Sequence, residues 1–528
     1  MEFLHAVKNT LFPPIPRHPS IDRPSLIILY ATAFIVGFSL SATHSVKYYF
    51  VVFLGGSLAE VVYTFIVFSF VGCVTPFMAS MAVTSKMGPA KTYRPLFIAC
   101  SIICILSDVL WGIASNTAYL FASRGLAAMS VITFSLAQLH LIDMSSLPVD
   151  PNTNTGGLPS KIKMQLNIVF YAYAILGITA GALCAFVVAF IPVSVLLFKN
   201  PLRFVLPAWI DAILRIPYTI FIIWKLRPLE NIKYGDEVPP LREQFRDLEN
   251  PTAFWMAGLA MIVAFIARSF TEVYAPIYGA GLPFNWVLWS NALFFTLLSV
   301  AAMILIKPSS LKLICHPFYL LTKNCGCWKR RDVDGDDVAL VNGSVFMVII
   351  ALIGCLILID YAPHPSSLSS SSSQLQSSSM ISLGQFIVGI SLVYLFGGAL
   401  IFEASGGLAQ NIPSTSPHGF FLGAATCFQM IGRIIGPVSR FHCSAVQCSA
   451  VQYHIIFSFS LLLYSLFNSH DFDASLGLGR YCLCWFLNRG VVEQQCLYNW
   501  KLSNIWLDWH PDHYCGDPYL YGASSFDI

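Results

Sequence analysis

Long apolar stretches recur along this chain at intervals set by short polar segments. The runs fall near 25–45, 58–79, 95–114, 118–140, 166–192, 203–224, 252–274, 286–306, 343–361, 381–403 and 418–438. Each is close to the ~20 residues that an α-helix needs to cross a bilayer. The alternative, a transmembrane barrel, would show apolar and polar residues alternating in segments of about ten residues. These runs are uniformly apolar, so the pattern predicts an all-α membrane protein with eleven helical spans. A twelfth run, at 454–467, is shorter and weaker. Residues 1–24 hold Lys8, Arg17 and five prolines and no apolar core. They read as a segment ahead of the first span, not as a cleavable signal.

Composition narrows the function classes. Of 528 residues 56% are hydrophobic and 11% charged, and the net charge is +3. Soluble domains carry about 25% charged residues. A cytosolic enzyme, a disordered scaffold and a nucleic-acid-binding domain are therefore excluded. The expected partners are the lipid bilayer and a small-molecule or ion substrate, with no nucleic acid. No Walker loop, metal motif or nucleophile elbow stands out on the side of the N-terminus, so neither enzymatic activity nor ATP-driven pumping is expected, and no cofactor or metal.

Orientation follows from the basic residues, which concentrate in cytoplasmic loops. If the N-terminus defines one side, that side collects nineteen Lys and Arg, against Lys47, Lys199 and Arg203 on the other up to the tenth span. The N-terminus is expected in the cytoplasm. The Ser-rich stretch 365–379 then faces away from it, as a low-complexity loop. The sequon Asn342-Gly343-Ser344 falls on the cytoplasmic side.

The long charged loop 225–251 carries six acidic residues among its basic ones and follows the sixth span. Six spans, a charged cytoplasmic linker and five or six more spans resemble the layout of the major facilitator fold, whose two six-helix halves are parallel repeats. The implied organisation is a cytoplasmic segment 1–24, a first half 25–224, a linker 225–251, a second half 252–440 with five spans, and an atypical tail 441–528 that holds the twelfth run.

Charges inside apolar spans cost ~2.5–3.5 kcal/mol each on insertion scales and point to function. Asp211 and Arg215 lie in span six and Arg268 and Glu272 in span seven. Both pairs are spaced i, i+4, which puts the partners on one helix face. Either they neutralise each other, or a substrate or proton competes for one partner. Arg124 in span four and Arg433 in span eleven are candidate anion ligands. The other readings are snorkelling at a span end for Arg124 and packing support for Arg433. Asp108 is expected to hydrogen-bond within the bundle, and Glu60 and Glu403 to lie near the interface. Gly177 and Gly181 have the spacing that lets helices approach closely. Gly432, Gly436 and Pro437 flank Arg433 as further packing or gating candidates.

Several local motifs carry a closer resemblance. Ser85-Lys86-Met87-Gly88-Pro89-Ala90-Lys91, between spans two and three, resembles the gating loop of the major facilitator superfamily through Lys86, Gly88 and Lys91, with Ser85 in place of an Asp. Arg94-Pro95-Leu96, Leu110-Trp111-Gly112, Ala122-Ser123-Arg124-Gly125, Glu272 and Gly432-Arg433-Ile434-Ile435-Gly436-Pro437 follow in order. Together with Ser45-Val46-Lys47-Tyr48-Tyr49 they resemble the lysosomal branch of that superfamily, the branch of the neuronal ceroid lipofuscinosis type seven protein. The likeness extends over about 20–440. It implies an endolysosomal multi-pass protein moving a small solute, with an endolysosomal anion (chloride) channel as the alternative, and Glu272 as a family position in span seven. A non-transporting membrane protein or damaged gene product is the third reading.

That third reading draws on the tail. Six of the 15 cysteines fall in the last 88 residues, and Cys443-Ser444-Ala445-Val446-Gln447 is repeated at once as Cys448-Ser449-Ala450-Val451-Gln452. Such a repeat fits a frame-shifted or mistranslated region. A divergent last span is the other reading, and a zinc site is a third, although the Cys and His spacing matches no structural-zinc pattern. Cys315, Cys325 and Cys327, beside Lys329-Arg330-Arg331, are candidates for palmitoylation next to anionic lipid.

Overall fold

The computed structural model describes residues 22–84, 88–146, 160–226, 251–280, 284–305, 347–354 with 357, 375–410 and 418–438. Residues 227–250 of the linker, Lys86, the sequon, Cys315, Cys325 and Cys327, the twelfth run and the tail lie outside them.

Eleven α-helices of eleven residues or more are described, with one short hairpin. They are α1 (Arg23–Phe53), α2 (Leu58–Thr84), α3 (Gly88–Gly112), α4 (Thr117–Ala127), α5 (Met129–Ser146) and α6 (Ser160–Val188). After strands β1 (Leu196–Leu197) and β2 (Asn200–Pro201) come α7 (Leu202–Lys225), α8 (Pro251–Ala280), α9 (Leu288–Leu305), α10 (Leu375–Gln410) and α11 (His418–Val438). A helical stretch at 347–354 marks the ninth span. Among the described residues, eight helices are long and apolar enough to cross a membrane, α4 and α5 counting as one. The chain is an integral, multi-pass membrane protein.

Local chemistry sets the helix ends. Asp22 caps α1 by accepting from Ser25 N, and Arg23-Pro24 open the helix where a proline costs no hydrogen bond. At the start of α2, Glu60 accepts from Ser57 N at 2.6 Å while Ser57 Oγ accepts from Glu60 N at 3.3 Å, a reciprocal capping box. Glu60 also accepts from Thr117 Oγ1 at 2.8 Å, tying α2 to α4. The fourth predicted span is interrupted at Ala128, between α4 and α5. The β1–β2 turn places Phe198 and Lys199 at φ 51° and 69°, the left-handed pair that a two-residue hairpin demands.

Helix packing repeats between the halves. α1 packs on α6 and on α5, and α8 packs on α11 and on α10. In span numbers, contacts one–five and one–four return as seven–eleven and seven–ten. The two most extensive contacts between the halves are α2 with α11 and α6 with α9. Adding six to each span of the first half exchanges these two pairs, as a two-fold axis along the membrane normal requires.

Glycines set the tightest contacts. A Cβ at Gly177 or Gly181 would fall on the backbone of α1, at the Phe34 and Phe38 carbonyls. The small-residue spacing in α6 is thus a contact surface for α1. Gly397, by contrast, has only ordinary contacts, and Gly398 faces open space.

Candidate substrate site

Glu272 sits in α8 with 5% of its surface exposed. Its Oε1 accepts from Arg268 Nε at 2.7 Å, one turn back on the same helix. Its Oε2 accepts from Arg433 Nη2 of α11 at 2.6 Å, and His44 Nε2 of α1 stands 3.6 Å from the same oxygen. Two charge-assisted bonds on one buried carboxylate tie α8 firmly to α11. The approach needs glycine: a Cβ at Gly432 would meet the Ile262 carbonyl, and one at Gly436 would meet Ser269 Oγ. Tyr274 OH donates to the Pro437 carbonyl at 2.9 Å and locks the end of the same seam.

The cations around this bridge rest on aromatic faces. The Arg268 guanidinium lies 5.5 Å from the Tyr394 ring centroid, and Arg433 lies 5.7 Å from that of Phe68. Arg124 of α4 approaches the same Phe68 ring at 5.3 Å and donates from Nη1 to Thr43 Oγ1 at 2.9 Å. Lys47 Nζ sits 3.4 Å from the Phe65 centroid. Ring quadrupoles stabilise desolvated cations without cancelling their charge. Arg268 and Arg433 share the single Glu272 carboxylate, with one positive charge in excess, and Arg124 meets Arg433 across the Phe68 ring.

A cavity of about 130 Å³ lies against the bridge. Arg268, Arg433, Tyr394 and Ser299 supply polar groups, while Leu40, Phe134, Ile178 and Phe265 supply apolar walls. A smaller space of about 20 Å³ is lined by Ser41, His44, Glu272 and Phe295, and it shares Arg268, Tyr394 and Arg433 with the first. On α1 the larger cavity takes Val36, Gly37 and Leu40, the smaller Leu40 to Ser45. The Arg268–Glu272–Arg433 bridge is thus the partition between them. Past the smaller space the halves are pinned together: Asn291 Nδ2 donates to the Ser45 carbonyl at 3.0 Å, and Tyr49 OH donates to that of Trp286 at 2.9 Å.

The other predicted pair stands apart. Arg215 Nε donates to Asp211 Oδ2 at 3.1 Å within α7, and Asp108 Oδ2 of α3 lies 3.5 Å from the same nitrogen. This cluster belongs wholly to the first half and lines neither cavity.

The structure brings together Arg268, Glu272 and Arg433 and sets Arg124 beside them across Phe68. It keeps Asp211 and Arg215 separate. Gly88 opens α3 and Lys91 lies in its first turn, so the expected gating loop is partly helix. Two sequence readings are corrected. Lys47, counted with the loops opposite the N-terminus, is inside α1 and 2% exposed, because α1 runs on to Phe53. Arg124 does not snorkel from a span end; it is 4% exposed and held by Thr43. Sequence reasoning missed His44, Phe68, Asn291 and Tyr394. The signal available for His44 was its place in the polar cluster Thr43-His44-Ser45 inside an apolar span.

No family model and no curated protein sequence matches this chain. Solved structures do. The crystal structure of the human organic anion transporter MFSD10 (TETRAN) superposes with a TM-score of 0.55 at 14% identity, over 85% of this chain and 100% of that one. The nucleoside transporter NupG superposes with a TM-score of 0.53 at 12% identity, over 85% of this chain and 99% of that one. This chain has the major facilitator fold.

Proposed function

We propose that the protein is a secondary transporter that moves a small anion across its membrane by alternating access. The carrying observation is the charge of the cavity wall. Arg268 and Arg433 face the cavity, and the one carboxylate of Glu272 offsets them. Buried charge of one sign beside a cavity is costly unless a ligand completes it. The Arg fork favours carboxylate-like or phosphate-like groups, and the apolar walls favour a ligand with a hydrophobic part. That one structural neighbour is an organic anion transporter agrees with this reading.

The bridge between the two cavities supports a carrier over an open pore. A solute in the larger cavity meets a partition of two ion pairs, which must part as the halves rock about the α2–α11 and α6–α9 seams. On this reading Glu272 is the gate's anion, released when substrate takes over Arg433. The test is uptake by the purified protein in liposomes, using a panel of labelled mono- and dicarboxylates, chloride and uncharged analogues. Saturable uptake of anions over their uncharged analogues is expected. Uptake of uncharged analogues alone contradicts the reading, and single-channel chloride currents would replace the carrier by a channel.

The resemblance to the lysosomal branch supports an endolysosomal membrane, and the basic-residue bias supports a cytoplasmic N-terminus and 225–251 loop. A tag at residue 240 is expected to be reached by antibody once the plasma membrane alone is permeabilised. A tag there that stays protected would overturn this orientation.

A further inference from the structure

Asp108, Asp211 and Arg215 form a closed acid-rich cluster away from the cavity. Their exposures are 5%, 0% and 1%. Arg215 reaches both acids, by the hydrogen bond to Asp211 Oδ2 and the 3.5 Å contact to Asp108 Oδ2. Yet Asp211 Oδ1 and Asp108 Oδ2 accept no hydrogen bond, although both are fully buried. The two carboxyl groups converge on one nitrogen, Arg215 Nε. The surrounding titratable and charged groups are Cys104 and Cys100 on α3, Arg124 on α4, Cys184 on α6 and Tyr218 on α7. Arg124 is directed to Thr43, and Tyr218 shares its hydroxyl with Thr32 of α1 at 2.6 Å.

Two carboxylates converging on one guanidinium repel each other away from water, and among the described residues Arg215 is the one cation within 4 Å of either. A single proton placed between two such acids relieves that repulsion. A proton would resolve both anomalies at once: it removes the excess negative charge and turns one carboxyl into the donor that an orphaned oxygen lacks. A metal cation fits poorly. A hard cation such as Ca²⁺ needs six or more oxygen ligands, whereas this site offers two carboxyls beside a guanidinium, and no group of three His, Cys, Asp or Glu side chains able to hold a metal occurs among the described residues.

We propose that Asp108 and Asp211 together hold one exchangeable proton in the first half of the bundle, with Arg215 fixing the pair. The site is independent of what the central cavity carries. Infrared spectroscopy of the full chain in nanodiscs tests it. A carbonyl band of a protonated carboxylic acid is expected near neutral pH. It should shift in protein made with isotope-labelled aspartate and disappear in both Asp108→Asn and Asp211→Asn, where the remaining acid pairs one-to-one with Arg215. The labelled wild type tests the proposal even if a variant fails to fold. Absence of the band, a band that the label leaves in place, or one that persists in both variants overturns the proposal. Loss of the band on adding sodium salt overturns it in favour of a metal cation.

Discussion

The two buried charge clusters start from the same local motif and end with opposite chemistry. Each has an acid and an arginine spaced i, i+4 on one helix, Asp211 with Arg215 and Arg268 with Glu272, and in each the pair closes. A third residue from another helix then decides the character. In the first half it is an acid, Asp108, and the cluster is closed and short of positive charge. In the second half it is a base, Arg433, and the cluster stands beside a cavity with positive charge to spare. A helical ion pair is therefore neutral scaffolding, and the tertiary partner makes it a site for a proton or for an anion.

The widest gap between the two clusters should appear when each loses one acid. Glu272→Gln leaves Arg268 and Arg433 without their counter-charge, and breaking a buried pair in this way costs about 3–5 kcal/mol. Asp108→Asn leaves Arg215 its partner Asp211, so its cost should stay under about 1 kcal/mol, the level of one ordinary hydrogen bond. Thermal unfolding of both variants in one detergent reads the contrast directly. Equal losses would mean that the clusters do not differ in charge balance.

A smaller effect should follow from the seam that carries Arg433. Gly432→Ala places a methyl group against the Ile262 carbonyl, and overpacking of this kind costs roughly 1–3 kcal/mol. Gly384→Ala in α10 meets nothing within 4 Å and should gain up to about 1 kcal/mol from helix propensity. A neutral Gly432→Ala in the same unfolding assay would show that α8 and α11 are not in contact there.

Much of this architecture was readable in the sequence, for physical reasons that also mark where reading stopped. Apolar run length fixes the spans, and the observed helices overlap them from Arg23 to Val438, because the bilayer imposes one length scale on every segment. The i, i+4 pairs were readable because helix geometry is local. That Asp108 joins Arg215, that Arg433 joins Glu272 and that His44 reaches across from the other half depends on which helices pack, and no local period encodes this. Lys47 was misplaced for a related reason. A charged side chain looks like a span end in sequence, while in the folded bundle it is shielded by the Phe65 ring.

The central claim is that the guanidiniums at the partition bind an anionic substrate. Its most direct measurement is concentration-dependent uptake per folded molecule for wild type, Arg433→Ala and Arg433→Lys, each with a labelled anion from the panel and its uncharged analogue. Arg433→Ala should raise KM for the anion at least about tenfold, the equivalent of ~1.4 kcal/mol, the lower range expected for a charge-assisted bond. It should leave uptake of the analogue little changed. Arg433→Lys should recover part of the loss, because an ammonium keeps the charge and lacks the planar fork. If anion uptake per folded molecule is the same in all three proteins, Arg433 serves only to hold α11 on α8, and the anion site is not here.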